Sequence, residues 1–350
     1  MTADKFTGYA ALQPIDSPTL ESYSFDPRPL EEDEVEIRVQ ACGICGSDIH
    51  HLTNGWRRAT YPLIPGHEFI GHITAVGDKV TEHKVGDRVG VSPVSRSCNE
   101  CEQCTTQHRQ LCPSKVTTYN SKYKGQMTYG GYADRVRVQS TWAIRVPENI
   151  SSEEGAPLLC AGVTTYLPFK HQNIGEQHSV GVVGIGGLGH LAIQWARAKN
   201  CKKVLAFSSS DAKREEAIKL GASEFATLGE SDNYQQSVDY LFVCGSGKST
   251  NWDALLGLIK LRGTLVLLDI PEQPVPFSAP AFVYKHISII GSYVGSSEDL
   301  HEMLEFASKT GVRPWIDRVG NSLEEVNRGV GIIMNGKAHY RVVICGEGRQ

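Results

Sequence analysis

One segment, VGVVGIGGLGHLAIQWARA from Val180 to Ala198, constrains the fold more than any other. An apolar run stops at Gly184, the glycines at 184, 186 and 189 form G-x-G-x-x-G, and an amphipathic pattern follows at once. That order predicts a strand, a tight turn and a helix. The first glycine permits the turn, the second lets a pyrophosphate approach the backbone, and the third lets helix and strand pack closely. The helix N-terminus then faces the phosphates. Gly184, Gly186, Gly187, Leu188 and Gly189 are therefore candidate cofactor-binding residues.

The same rhythm continues downstream. Val204 to Phe207 precedes a helical pattern from Ala212 to Leu220, and Tyr240 to Val243 precedes one from Trp252 to Ile259. Leu265 to Ile270 and Ile287 to Val294 add two more strands, and alternation of this kind implies a parallel, doubly wound sheet. Glu298 to Ser308 and Leu323 to Met334 read as surface helices before a last strand, Tyr340 to Cys345. Before residue 157 the pattern differs, with short β-branched runs broken by Gly and Pro: Val35 to Val39, Phe69 to Val76, Arg88 to Val91, Tyr132 to Val138 and Ala143 to Val146. These predict a mainly antiparallel domain. The expected organisation is residues 1–157, a cofactor domain over 158–294, and a return to the first domain over 295–350.

At 350 residues the chain has room for about two cores, and its net charge of −4 contains no long run of either sign. Nucleic-acid and polybasic membrane partners are not expected, whereas a small molecule is. The start, MTADKFTGYAALQPIDSP, lacks a basic and apolar leader, and no apolar run reaches the roughly 18 residues of a membrane span. The expectation is a soluble, unexported, cytoplasmic protein.

The end of the second parallel strand discriminates between cofactors. An NAD enzyme usually carries an acidic residue there, about twenty residues past the turn, to hold the ribose hydroxyls. This chain has Ser208, Ser209 and Ser210, then Lys213 and Arg214, with Asp211 nearby. Hydroxyls and cations suit a 2′-phosphate. NADP(H) is the expected cofactor.

Four of ten cysteines fall within fifteen residues: Cys98, Cys101, Cys104 and Cys112, as C-x2-C-x2-C-x7-C in a polar loop. A closed, structural zinc site is the expectation, with an iron–sulfur cluster as the alternative. A second, dispersed group comprises Cys45 in ACGICGSDIH, His67 and Glu68 in PGHEFIG, and Cys160 in PLLCAGVTTY. Two thiolates and an imidazole leave a fourth metal position open to water or a substrate oxygen.

Taken together, ACGICGSDIH, PLIPGHE, the four-cysteine loop, GGYAD, APLLCAGVTTY, GIGGLGH, SSSDAKREEA and GSYVGS resemble the zinc-dependent alcohol dehydrogenases of the medium-chain superfamily. The cinnamyl alcohol dehydrogenase branch, with its fungal NADP-dependent members of broad specificity, is the nearest match. The resemblance implies a GroES-like catalytic domain joined to a Rossmann domain. It implies two Zn2+ per chain, with Cys45, His67 and Cys160 as catalytic ligands and Glu68 near the metal. Asp48 would orient His67, and Ser47 and His50 would relay the alcohol proton, although His51 follows directly. Thr164 would lie beside the nicotinamide and Arg341 near the pyrophosphate. Trp56 and Tyr293 are candidate pocket residues. Cys42, Cys201, Cys244 and Cys345 are expected to fill core.

The resemblance also implies that Lys285 to Val294 is a sheet edge pairing with a second subunit, giving a homodimer through the Rossmann domain. The function implied is hydride transfer between NADP(H) and an aromatic or medium-chain alcohol or aldehyde. Two alternatives stand beside it: a polyol or secondary-alcohol dehydrogenase, and a non-catalytic cofactor-binding sensor.

Overall fold

The structure, a computed structural model, describes residues 4–247 and 250–346. The chain divides into two compact units: one takes the chain through Cys160 together with Val294–Lys309 and everything from Arg313, and the other is Ala161–Tyr293 with Thr310–Val312. The first is built like a GroES domain and the second like a Rossmann domain.

Among the described residues of the first unit, the main sheet has seven strands. Glu34–Ile44 is its spine, a run in which Val35, Ile37, Val39, Ala41 and Ile44 are buried. It pairs antiparallel with Phe69–Val76, Arg135–Gln139 and the C-terminal Arg341–Cys345. The strand expected over Val35–Val39 is thus longer than its alternation suggested. Cys42, Gly43 and Ile44 are buried where the last strand covers them, so the polar half of the alternation is lost. Phe69, Ile73, Val89, Tyr132 and Val342 belong to one core beneath this sheet.

The second unit holds a six-stranded parallel sheet: Glu224–Thr227, Lys203–Ser208, Ser179–Val183, Val238–Val243, Ile259–Leu267 and Ser288–Gly291, in that spatial order. Ser179–Val183 is buried at every position, as a central parallel strand requires. Two expectations shift. Ile259–Leu267 begins six residues before the Leu265 expected, because the helix Trp252–Leu258 runs straight into it and Leu258 and Ile259 are both fully buried. The helix expected from Ala212 opens instead as a 3-10 turn, Asp211–Lys213, before Arg214–Leu220.

Of the four cysteines expected to fill core, only Cys42 is buried; Cys201, Cys244 and Cys345 are half-buried at strand ends. No helix among the described residues is long and apolar enough to cross a membrane.

Candidate metal centres and cofactor turn

The first unit gathers two ligand clusters, Cys98–Cys101–Cys104–Cys112 and Cys45–His67–Glu68–Cys160, each with its ligand atoms within 4.8 Å of one another. In the first, the sulfur separations are 3.8 Å for Cys98–Cys104, 3.6 Å for Cys101–Cys104 and 3.5 Å for Cys98–Cys112. Four thiolates bound at about 2.3 Å to one tetrahedral ion would lie about 3.8 Å apart. The spacing therefore suits a single zinc, whereas a cubane between the thiolates would spread them further. Backbone N–H groups of Glu100 and Cys101 lower the Cys98 thiol to about 6, toward the thiolate a metal needs.

In the second cluster, each ligand is delivered by a different device. Cys45 directly follows the spine strand and caps the helix Gly46–Leu52, its own N–H donating to the Asp48 carboxylate at 2.9 Å. His67 and Glu68 directly precede the strand Phe69–Val76. Cys160 lies in a π-helical turn, Leu158–Gly162, where the widened backbone alters the direction of its side chain. The hydrogen bond between the Cys45 and Cys160 sulfurs holds the Cys45 thiol well below its ordinary range and pushes that of Cys160 up.

Asp48 is fully buried and accepts from the Gly66 N–H at 3.2 Å and from His67 Nδ1 at 3.3 Å. That contact places the His67 proton on Nδ1 and frees Nε2 as a ligand atom. His67 Nε2 and Glu68 Oε2 are both buried with no hydrogen-bond partner. Buried polar atoms without partners are costly, and a metal ion between them and the two sulfurs removes that cost. The residues present thus fit a zinc ion.

Two features of this centre escaped the sequence reading. Arg341, expected near a pyrophosphate, is buried and its guanidinium binds the Glu68 carboxylate. Tyr119 stacks on His67 with ring centroids 5.7 Å apart, and its hydroxyl donates to Asp48 and lies 3.1 Å from His51 Nδ1. No spacing rule connects Tyr119, 71 residues past Asp48 in count, to that helix; only the tertiary fold closes the distance.

Ser47 and the two histidines share the helix Gly46–Leu52. The Cys45 sulfur is 3.7 Å from Ser47 Oγ. His51 is turned toward Ser47 and Tyr119, its Nδ1–H donating to the Ser47 carbonyl at 2.8 Å. His50 instead lies flat on Trp56 at 4.5 Å, which brings a candidate relay residue and a candidate pocket residue together.

In the second unit Gly184 has φ +85°, a conformation that glycine adopts without strain. A Cβ on Gly189 would sit 2.1 Å from the Gly184 carbonyl oxygen, whereas one on Gly186 would meet nothing within 4 Å. The turn is closed on the protein side and open on the other, the cradle a pyrophosphate needs. Gly187 and Leu188 lead into the helix Gly189–Ala198, and His190 donates from Nδ1 back to the Gly186 carbonyl at 3.0 Å. Ser208 ends the second strand, with Ser209 and Ser210 exposed beyond it. Lys213 is drawn inward and donates to the Ile185 carbonyl at 2.7 Å; Arg214 pairs with Asp211 at 2.6 Å. Asp211 is therefore neutralised within its own turn. The Thr164 carbonyl accepts from the Ser292 hydroxyl at 2.8 Å, and the neighbouring Tyr293 is 40% exposed.

Residues 31–148 match the alcohol dehydrogenase GroES-like domain, and residues 187–309 match the zinc-binding dehydrogenase family. A cinnamyl alcohol dehydrogenase from Sorghum bicolor superposes with a TM-score of 0.93 at 35% identity, covering 99% of this chain and 100% of that one. The chain belongs to the zinc-dependent medium-chain alcohol dehydrogenases. A second family member, the cinnamyl alcohol dehydrogenase of Helicobacter pylori complexed with NADP(H), gives 0.90 at 30% identity over 97% of this chain and 98% of that one. A probable mannitol dehydrogenase from Medicago sativa is 39% identical over 94% of this chain and 92% of its own length.

Proposed function

We propose that this dehydrogenase moves hydride between NADP(H) and primary aromatic or medium-chain alcohols and aldehydes, working chiefly as an aldehyde reductase. The observation carrying the catalytic part is the pair of unpartnered buried atoms, His67 Nε2 and Glu68 Oε2, facing the Cys45 and Cys160 sulfurs. When bound there, zinc supplies Lewis acidity toward a carbonyl or alcohol oxygen. Cys45, His67 and Cys160 would hold it, and a second zinc would close the four-cysteine loop. Asp48 keeps the His67 proton on Nδ1. The Ser47 hydroxyl takes or gives the substrate proton. His50 ends the relay, because His51 Nδ1 is already engaged by the Ser47 carbonyl and Tyr119.

The cofactor preference rests on the second strand's end. Serines stand where an acidic side chain would repel a 2′-phosphate, and the nearby Asp211 is held by Arg214. Lys213, tied to Ile185, steadies the turn itself. The NADP(H) complex of the Helicobacter pylori relative supports the same reading. We also take the chain to act as a homodimer in the cytoplasm: the edge strand Ser288–Gly291 leaves Ile289 40% exposed and its outer hydrogen-bonding side open.

The experiment is initial-rate reduction of cinnamaldehyde with NADPH and, separately, NADH. Turnover with NADPH and at least about tenfold less with NADH supports the reading. Equal rates overturn the cofactor assignment, and no turnover with either overturns the substrate assignment. The Medicago sativa relative favours a polyol dehydrogenase as the second reading, which oxidation of mannitol without reduction of cinnamaldehyde would establish.

A further inference from the structure

The first unit contains a cavity of about 420 Å³ that shares no residue with either metal cluster or with the helix Gly46–Leu52. It lies between the ribbon of Phe6–Ala10 and Glu21–Phe25, the hairpin of Lys122–Tyr123 and Gln126–Met127, and the strand Arg135–Gln139. Its size falls in the range of small-ligand pockets. Its walls combine aromatic rings with guanidinium groups, and both have a specific arrangement.

Phe25 and Tyr129 lie 4.5 Å apart, and Tyr23 adds a ring 6.2 Å from Tyr129. Phe6 meets Phe25 edge-on at 5.8 Å, and Arg135 covers the ring of buried Phe6 at 4.4 Å. Four arginines reach the cavity, and three are spent on carboxylates. Arg28 grips Glu34, Arg96 binds Asp33 at 2.9 and 3.0 Å, and Arg137 binds Glu36 at 2.6 and 2.8 Å. Arg135 is different. Its only hydrogen bond among the described residues is a 3.5 Å contact to the Lys5 carbonyl; Glu36 and Asp134 stand off at 3.8 and 3.9 Å, beyond hydrogen-bond reach.

A half-buried guanidinium that retains donors and covers one ring of an aromatic cluster is a ready carboxylate fork beside an aromatic wall. We propose that this cavity binds a small planar aromatic monocarboxylate, with its ring against Phe25 and Tyr129 and its carboxylate on Arg135. A doubly charged phosphate fits less well, because Glu34, Asp33 and Glu36 already neutralise the other three guanidinium groups and Asp26 at the mouth is exposed. A neutral aromatic leaves Arg135 unsatisfied. The site is separate from the proposed chemistry and does not depend on it.

Titration calorimetry of the zinc-loaded protein with benzoate and with trans-cinnamate tests this directly. The expected result is saturable one-site binding that weakens at least about tenfold in Arg135→Ala, with benzamide, the neutral isostere, weaker than benzoate by a similar factor. Tyr129→Leu should weaken the acids comparably while leaving Arg135 in place. An unchanged thermal melt shows that each variant is folded. Binding that survives Arg135→Ala intact, equal affinity for benzamide, or no saturable binding of either acid to the native protein overturns the proposal.

Discussion

Glu68 and Arg341, 273 positions apart in the chain, meet as a buried ion pair at the edge of the Cys45–His67–Cys160 cluster. Neither charge is solvated, since Glu68 is fully buried and Arg341 is 5% exposed. Breaking such a pair from one side leaves an uncompensated buried charge, at a cost of about 3–5 kcal/mol. Arg341→Met is therefore expected to lower the urea midpoint sharply, and adding Glu68→Gln should restore part of the loss. If the double variant is no more stable than Arg341→Met, the pair is not coupled.

The four-cysteine loop has few apolar side chains to hold it, so with the proposed second zinc its order should depend on metal. Cys104→Ser should remove one zinc per chain by atomic absorption, make residues 98–112 susceptible to protease, and leave the other zinc in place. Because structural zinc contributes on the order of 10 kcal/mol of local folding energy, the loop is expected to open fully rather than loosen. Arg109, which pairs with Glu298 at 3.3 Å and donates to Asn99, should then lose its ordered contact.

On the proposed zinc assignment, Tyr119 would act on the ligand His67 through Asp48. Tyr119→Phe keeps the ring on His67 but removes the hydroxyl that binds Asp48 and His51. Outer partners of this kind are worth about 10–100-fold in metal affinity or activity. The expectation is a loss in that range, read as zinc affinity in a chelator competition and as kcat with KM little changed. A shift in the cobalt-substituted absorption spectrum would accompany it, and a purely packing role would leave that spectrum unaltered.

Acid should destabilise the first unit through imidazoles that are partly desolvated on folding. Burial lowers His51, His83 and His301 from the ordinary value of 6.5. Each is more readily protonated in the unfolded chain, so stability is complete above that value and declines as pH falls through it toward the lower folded values. The slope is at most about 1.4 kcal/mol per pH unit for each imidazole that stays neutral only when folded. His83→Gln combined with His301→Gln should flatten the curve of unfolding free energy against pH below about 6.5.

What could be read from the residues was whatever is local. Phe69–Val76 and Leu323–Met334 have the expected limits because apolar period and capping agree along one stretch of chain, with Ser322 accepting from the Glu325 N–H. The G-x-G-x-x-G turn was legible for the same reason. What escaped was set by chain segments meeting from afar. The spine strand outran its alternation because Arg341–Cys345 covers it; Arg341 reaches Glu68 through that pairing, and Tyr119 reaches His67 from a bend far along the chain. Lys213 was read as a phosphate donor from its place after the second strand; its bond to the Ile185 carbonyl, which links it back to the glycine turn, could not be read from that spacing.

The C-terminal strand also sets an order of events during synthesis. The centre of the first unit's sheet stays open, and Glu68 lacks its countercharge, until Arg341 leaves the ribosome. By then the whole of Ala161–Tyr293 has already been made. The half of the molecule translated first is thus the half that finishes last, and a nascent chain stalled before Arg341 would present the apolar edge at Ala41–Ile44, still without its partner strand, to chaperones.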